Sequence, residues 1–154
     1  MAKKKVSEKL VKERFRDILK NRGFNNVTIT KSPADITAEL NGEQWWFELK
    51  STIEPVKCWG GSTETEWGKA FEDPDHYRFV VIWTTQKLKK FKFIEYRPEE
   101  FMRFCFVNPF SVQFKIPASL PDSDGNKSFG FDKEVFDKLH DLFEEIRKNR
   151  NKKP

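Results

Sequence analysis

The sequence contains few of the residues on which several common chemistries depend. It has two cysteines, Cys58 and Cys105, and their wide spacing argues against a disulfide scaffold or a cysteine-based zinc site. Its two histidines, His76 and His140, lie in unlike surroundings, so a histidine-metal centre or a serine or cysteine triad lacks a convincing base. The glycine-rich phosphate-binding patterns GxxxxGK and GxGxxG are also missing from the chain.

Long apolar runs are missing too. No stretch approaches twenty consecutive apolar residues, and the basic start Met-Ala-Lys-Lys-Lys leads into an amphipathic run rather than a signal-peptide core. Two widely spaced cysteines fit a reducing compartment. We therefore expect a cytoplasmic protein with no membrane partner.

Charged and aromatic residues are both abundant. The 154 residues include 29 Lys and Arg against 24 Asp and Glu, together with sixteen phenylalanines and five tryptophans. This composition predicts one folded domain over residues 1–154 with an aromatic core. The excess positive charge lies in basic tails, at Lys3–Lys5 and from Arg147 to Lys153. It favours a polyanionic partner without requiring one, since such tails are equally compatible with solvated ends.

One stretch carries the clearest structural signal. Asn41-Gly42 favours positive φ and marks a two-residue hairpin turn between two apparent strands, Ile36–Leu40 and Gln44–Lys50. Pairing across that turn places alternate apolar residues on one face of the hairpin, which we expect to be the core side. These residues are Ile36, Ala38, Leu40, Trp45, Phe47 and Leu49.

The other face of the hairpin carries charged groups. The same pairing puts Asp35 directly opposite Glu48, with Lys50 on the same face as Glu48. Carboxylates opposite each other in a ladder have Cβ atoms about 5 Å apart and repel, a cost that a bound divalent cation would offset. Mg²⁺ prefers such oxygen ligands, and a neighbouring lysine can orient the attacking water. The alternative is a surface hairpin with an ion pair between its strands.

The pattern Pro33-Ala34-Asp35, twelve residues, then Glu48-Leu49-Lys50 resembles the PD-(D/E)XK nuclease superfamily, which has the restriction-endonuclease-like fold. The resemblance covers roughly residues 7 to 95 and is specific at the hairpin. One departure is that Ala34 separates the proline from the aspartate. The resemblance implies that Asp35, Glu48 and the Leu49 carbonyl are metal ligands and that Lys50 is the catalytic lysine.

A first helix is predicted from about Ser7 to Arg22, with Ser7 as its N-cap and Gly23 just beyond its end. In the resembled family a glutamate of this helix often joins the metal site. Glu8 lies along the edge of the apolar stripe, whereas Glu13 projects from the opposite side. Glu8 is therefore the candidate, although a solvent-exposed role for it stays open.

The remaining elements follow from periodicity and capping signals. Strands are predicted at Asn26–Thr30, Tyr77–Thr84, Phe91–Tyr96 and Phe110–Ile116, and further helices start at Thr63 or Thr65, near Pro98 and at Asp132. Glu66, in the first turn of the second helix, is expected to complement the helix dipole rather than contact the site. Residues 53–62 lack periodicity and predict a mobile loop. The fold class is α/β, with a mixed sheet of about five strands flanked by helices.

The sequence thus predicts a DNA endonuclease that uses Mg²⁺, with Mn²⁺ able to substitute, in restriction, repair or junction resolution. Double-strand cutting by so small a protein would require a homodimer, whereas nicking would not. The alternative is a non-catalytic nucleic-acid-binding module on the same fold, and RNA as the substrate is not excluded. Trp46 lies on the carboxylate face, where it would either stack on a base or cover the site.

Overall fold

The computed structural model describes residues 6–107, 112–116 and 133–150. Its helices are α1 (Glu8–Asn21), α2 (Glu64–Glu72), α3 (Pro98–Phe101) and α4 (Lys133–Arg150). Its strands are β1 (Asn25–Ile29), β2 (Ile36–Leu40), β3 (Glu43–Ile53), β4 (Cys58–Ser62), β5 (Tyr77–Thr84), β6 (Phe91–Tyr96), β7 (Cys105–Val107) and β8 (Val112–Ile116). None of the helices described is long and apolar enough to cross a membrane.

A mixed sheet of five strands, in the order β1-β2-β3-β5-β6, forms the centre of the fold. Strands β3 and β5 are parallel, and the other neighbours in this sheet are antiparallel. Helix α1 packs on one face of the sheet, while α2 and α4 contribute to the core on the other face. The predicted fold class, an α/β protein with about five mixed strands flanked by helices, is confirmed.

The hairpin between β2 and β3 forms as its turn residues predict. Asn41 and Gly42 have φ angles of 53° and 79°, the left-handed region that a two-residue turn of this type requires. The ladder runs from Leu40 opposite Glu43 to Ile36 opposite Phe47. In this register Ile36 and Phe47 are fully buried beneath α1, so the apolar face is the core face as expected.

Helix α1 begins at the predicted cap Ser7, and α2 begins at Thr63, one of the two caps predicted for it. The Ser7 side chain accepts a hydrogen bond from the Leu10 N–H at the start of α1. At the start of α2 the Thr63 hydroxyl accepts from the Glu66 N–H, and the Glu66 carboxylate accepts from the Thr63 N–H, which is a capping box. The cap fixes the first turn of α2, and hence the position of Glu66.

Strand β5 is buried on both faces because it lies within the sheet between β3 and β6. Val80 and Ile82 belong to the cluster beneath α1, whereas Phe79 and Val81 belong to the cluster beneath α2. Its parallel pairing with β3 requires the chain to cross the sheet between these strands, and β4 and α2 make that crossing. The crossing brings the start of α2 back to the middle of β3.

The prediction of a loop over residues 53–62 is wrong for most of that range, because only residues 54–57 lie outside the strands. Strand β3 extends to Ile53, and β4 then joins a second sheet in the order β4-β8-β7. Gly60 pairs with Phe114 of β8, and a Cβ at Gly60 would lie 3.4 Å from the Phe114 ring. The glycine therefore leaves room for an aromatic ring. The sequence pattern does not reveal β4, because glycine has no side chain and so cannot contribute to an alternation of apolar and polar residues.

Several large apolar side chains are exposed rather than buried in the core. Ile29 and Phe106, each 38% exposed, lie on edge strands of their sheets, where one side has no neighbouring strand. Leu142 and Ile146 are 46% and 38% exposed, because α4 packs through Phe136 and its neighbours instead. Some predicted features lie outside the described residues: the basic segments 3–5 and 151–153, the strand start at Phe110 and the helix cap at Asp132.

Candidate functional site

Helix α1, the hairpin and β4 enclose a cavity of about 290 Å³ that opens to solvent. All the residues that the sequence assigns to the site line it, namely Glu8, Asp35, Glu48, Leu49 and Lys50. Glu13 does not line this cavity, so of the two glutamates on α1 it is Glu8 that lies beside the carboxylates of the hairpin. Lys12, Cys58 and Phe114 complete much of the remaining wall.

Asp35 is held by backbone groups just before β2 begins. The β2–β3 ladder ends at Ile36 and Phe47, so Asp35 does not form the expected ladder pair with Glu48. Instead its Oδ2 accepts a hydrogen bond from the Leu49 N–H at 2.9 Å, and its carbonyl accepts from the Thr30 N–H at 2.8 Å. These bonds place the carboxylate beside the part of β3 that lies beyond the β2 ladder, next to the cavity.

The corner that precedes Asp35 is also fixed by hydrogen bonds. The buried Tyr77 hydroxyl donates to the Pro33 carbonyl at 3.1 Å, and the Thr30 hydroxyl donates to the Ala34 carbonyl at 2.6 Å. Burial, followed by the nearby Glu48 carboxylate, raises the pKa of Tyr77 well above its usual range, so this hydroxyl stays a donor. Two donors thus satisfy successive carbonyls of an irregular segment.

Glu48 and Lys50 form a buried ion pair. Glu48 is 6% exposed, and the Lys50 Nζ lies 2.8 Å from its Oε1. Burial raises the pKa of Glu48 to about 8, since the attraction of Lys50 offsets this only in part and the Glu66 and Asp35 carboxylates add repulsion. Burial would lower the pKa of Lys50, but Glu48 and Glu66 outweigh it and raise that pKa.

Glu66 contacts the site, contrary to the expectation that it only complements the α2 dipole. Its Oε2 lies 3.2 Å from the Lys50 Nζ while also accepting the Thr63 N–H at 3.0 Å. Glu66 therefore supports the start of α2, as expected, and in addition contacts the Lys50 ammonium. No spacing rule could have indicated this contact, since it depends on how the crossing between β3 and β5 returns α2 to the sheet.

Lys12 is a site residue that the sequence analysis missed. Its Nζ lies 2.6 Å from the Asp35 Oδ1, and its side chain is one quarter exposed. Burial opposes its charge, but the hydrogen bond and attraction of Asp35 prevail and raise the pKa of Lys12. A signal was available, because Lys12 follows Glu8 by four residues and therefore lies on the same helix face.

Trp46 also lies on the carboxylate face of β3, as predicted. It is partly buried against the core cluster that contains Trp67, and the Lys69 ammonium lies 4.2 Å from its ring centroid. A cation thus already covers one face of the ring. This arrangement favours a packing role for Trp46 over base stacking.

The donor set at the cavity suits a hard divalent cation. Asp35 and Glu48 supply carboxylate oxygens, and the Leu49 carbonyl faces the same side of β3 as its N–H, toward Asp35. Among the residues the structure describes, no group of three or more His, Cys, Asp and Glu side chains is arranged to hold a metal ion. Two carboxylates with a carbonyl nevertheless match Mg²⁺, which completes its shell with water and substrate oxygens.

Fold and site together define an α/β protein in which one hairpin and the first helix gather carboxylates and lysines around a cavity. Residues 7–94 match the family model described as "Protein NO VEIN, C-terminal", and the chain belongs to that family. The matched range includes every site residue from Glu8 to Glu66. A comparison with curated protein sequences gives no match.

Solved structures offer a distant likeness. The structure of Hjc, a Holliday junction resolvase from the archaeal hyperthermophile Archaeoglobus fulgidus, aligns with 80% of this chain and 98% of its own. The two are 19% identical in sequence, with a TM-score of 0.46. A likeness of that degree says nothing about the activity of this chain.

Proposed function

We propose that the protein is a metal-dependent nuclease of the PD-(D/E)XK superfamily that hydrolyses phosphodiester bonds in DNA. The observation that carries the proposal is the convergence of Asp35, Glu48 and Lys50 with Glu8 on one open cavity. These residues come from separate parts of the chain, and a hairpin that only paired charges on its surface would not need a cavity beside them. The motif resemblance supplies the reaction class.

Each residue has a distinct role in this proposal. Asp35, Glu48 and the Leu49 carbonyl would hold Mg²⁺, with Mn²⁺ able to substitute. When bound, the ion would make water easier to deprotonate and offset negative charge on the phosphate. Lys50 lines the cavity and is held between two carboxylates, so its ammonium can orient the attacking water and balance charge that develops on the phosphate.

The charges of the site agree with a divalent cation. Four carboxylates (Glu8, Asp35, Glu48 and Glu66) face two ammonium groups (Lys12 and Lys50), which leaves two negative charges when all six groups are ionised. One divalent ion would balance this excess. The binding of such an ion would also favour the ionised form of Glu48, whose pKa is raised in its absence.

A non-catalytic nucleic-acid-binding module on the same fold is the second candidate. It is favoured by one observation, that each of the two carboxylates assigned to the metal already has a lysine partner, Lys12 for Asp35 and Lys50 for Glu48. Such pairs could serve structure alone. This candidate predicts DNA binding that persists with a chelator and no cleavage products at any metal concentration.

Cleavage of supercoiled plasmid separates the two candidates. Wild type is incubated with Mg²⁺ or Mn²⁺ beside Lys50→Met, Glu48→Gln and Asp35→Asn, and EDTA controls accompany each. Lys9→Met and Glu13→Gln, on the same protein but outside the cavity, reproduce the charge changes. Metal-dependent nicking that the three site variants lose and the two controls keep is the expected result.

Equal activity in Glu48→Gln and wild type would refute the assignment. Where cleavage occurs, the ratio of nicked to linear plasmid indicates whether one strand or both strands are cut. A labelled RNA of the same length tests whether the substrate is DNA or RNA. Binding that survives EDTA without any product would support the non-catalytic module instead.

A further inference from the structure

Both carboxylate oxygens of Asp35 are occupied by donors of the chain itself. Oδ2 accepts the Leu49 N–H at 2.9 Å, and Oδ1 lies 2.6 Å from the Lys12 Nζ. A divalent cation that used Asp35 as a ligand would need one of these oxygens. A carboxylate oxygen keeps a second lone pair beside one hydrogen bond, but a cation bound at Oδ1 would lie next to the Lys12 ammonium and would be repelled by it.

We propose that Lys12 is an internal counter-ion at the cation position and that a divalent metal binds by displacing it. This inference rests on the metal site of the proposed function. It assigns to Lys12 a role in setting the metal affinity, as an ammonium ion that competes for Asp35. Lys12 is thus a residue that regulates occupancy of the site.

The metal replaces Lys12 at Oδ1, because the donor at Oδ2 is the backbone N–H of Leu49. The Leu49 N–H lies in β3 and keeps the Asp35 carboxylate in place, so Asp35 has no need to turn when Lys12 leaves. The Lys12 ammonium, by contrast, sits at the end of a flexible four-carbon stem on α1. Its side chain is 25% exposed, which gives it a route to solvent.

Lys50 differs from Lys12 in its exposure and in the number of its carboxylate partners. Its side chain is 13% exposed and contacts two carboxylates, Glu48 and Glu66, whereas Lys12 makes its ion pair with Asp35. If Glu48 engages a cation, Glu66 still holds the Lys50 ammonium. Lys12 is therefore the lysine that exchanges, and Lys50 the one that stays.

Metal binding measured by titration calorimetry tests the inference without relying on cleavage. Mn²⁺ and Mg²⁺ are titrated into wild type, Lys12→Met and Lys12→Arg, with Lys9→Met as the charge-matched control on an exposed position of the same helix. We expect Lys12→Met to bind the cation about tenfold more tightly, because a charge-assisted contact no longer has to be broken. Lys12→Arg and Lys9→Met should bind as wild type does.

Thermal melting gives an independent measure. Without metal, Lys12→Met should melt at a lower temperature than wild type, because the carboxylates around the cavity lose a neutralising charge. Added Mn²⁺ should then raise its melting temperature by more than it raises that of wild type. Lys12→Gln, which keeps a polar side chain, repeats both measurements if the methionine variant folds poorly.

The outcomes distinguish this inference from the proposed function. Equal or weaker cation binding by Lys12→Met, while wild type binds and Glu48→Gln does not, would overturn the role of Lys12 and leave the metal site standing. No cation binding by wild type and Lys12→Met alike would overturn both. Tighter binding by Lys9→Met as well would show a general charge effect and would also overturn the exchange.

Discussion

Glu66 serves two purposes that mutation should separate. Its carboxylate completes the capping box with Thr63 at the start of α2, and the same Oε2 atom contacts the Lys50 ammonium. Glutamine can also accept the Thr63 N–H at this position of a capping box. Glu66→Gln should therefore keep the cap and lose the negative charge that holds Lys50.

Thr63→Ala perturbs the other half of the arrangement. It removes the hydroxyl that accepts the Glu66 N–H at 3.3 Å but keeps the backbone N–H to which the Glu66 carboxylate bonds. Loss of an N-cap side chain costs about 1 kcal/mol of unfolding free energy. In a chain of this size that lowers the melting temperature by roughly 2–4 °C. Cleavage by this variant, measured well below its melting temperature, should match wild type.

Glu66→Gln should show the opposite combination. We expect a melting temperature within about 2 °C of wild type. Single-turnover plasmid cleavage should fall by about tenfold, which corresponds to ~1.4 kcal/mol in the barrier, since Lys50 keeps one carboxylate anchor in place of two. Glu66→Ala should combine both losses. Wild-type cleavage by Glu66→Gln, or equally slow cleavage by Thr63→Ala, would refute the positioning role.

Two further predictions concern His76, which bonds to Glu43 at the start of β3, and Tyr77, which bonds to Pro33 shortly before Asp35. The His76 ring is 2.9 Å from both Asp73 and Glu43, and the hydrogen bond to Asp73, followed by that to Glu43, raises its pKa above the usual 6.5. The stability it adds is therefore full below pH 6.5 and is lost as pH rises through the raised value. His76→Gln should melt about 2–4 °C below wild type near pH 6 and close to it near pH 9, and a pH-independent difference would contradict this. Tyr77→Phe leaves the Pro33 carbonyl without its donor and should lower the free energy of unfolding by about 1 kcal/mol. Mn²⁺ binding in the same calorimetric assay should be weaker. Unchanged binding would show that this hydrogen bond does not help to place the site.

The parts of the fold that sequence could predict are those with local causes. Asn41-Gly42 specifies its own turn, and the alternation on either side then fixes which residues face α1. Thr63 and Ser7 mark helix starts through hydrogen bonds made within four residues. These signals need no knowledge of the rest of the chain, which is why sequence predicts the hairpin and the α1 start and narrows the α2 start to Thr63 or Thr65.

The contacts that were missed join parts of the chain distant in sequence. Lys12 meets Asp35 only because α1 packs across the hairpin, and Glu66 meets Lys50 only because α2 returns to the middle of β3. Strand β4 is a third case, since its pairing partner β8 follows more than fifty residues later and its glycines show no periodicity. In each case the local sequence is compatible with several arrangements, and packing selects one.

The charges around Glu48 bear on the choice between a metal site and an inert ion pair. Two lysines, Lys12 and Lys50, face four carboxylates around the site, so ion pairs alone leave an excess of negative charge. Burial raises the pKa of Glu48, and the repulsion of Glu66 and Asp35 adds to that rise against the attraction of Lys50. The two lysines therefore leave the carboxylates of the cavity incompletely neutralised. Two charges on one small ion would complete that neutralisation, and this is why we favour a metal-dependent nuclease over a structural hairpin.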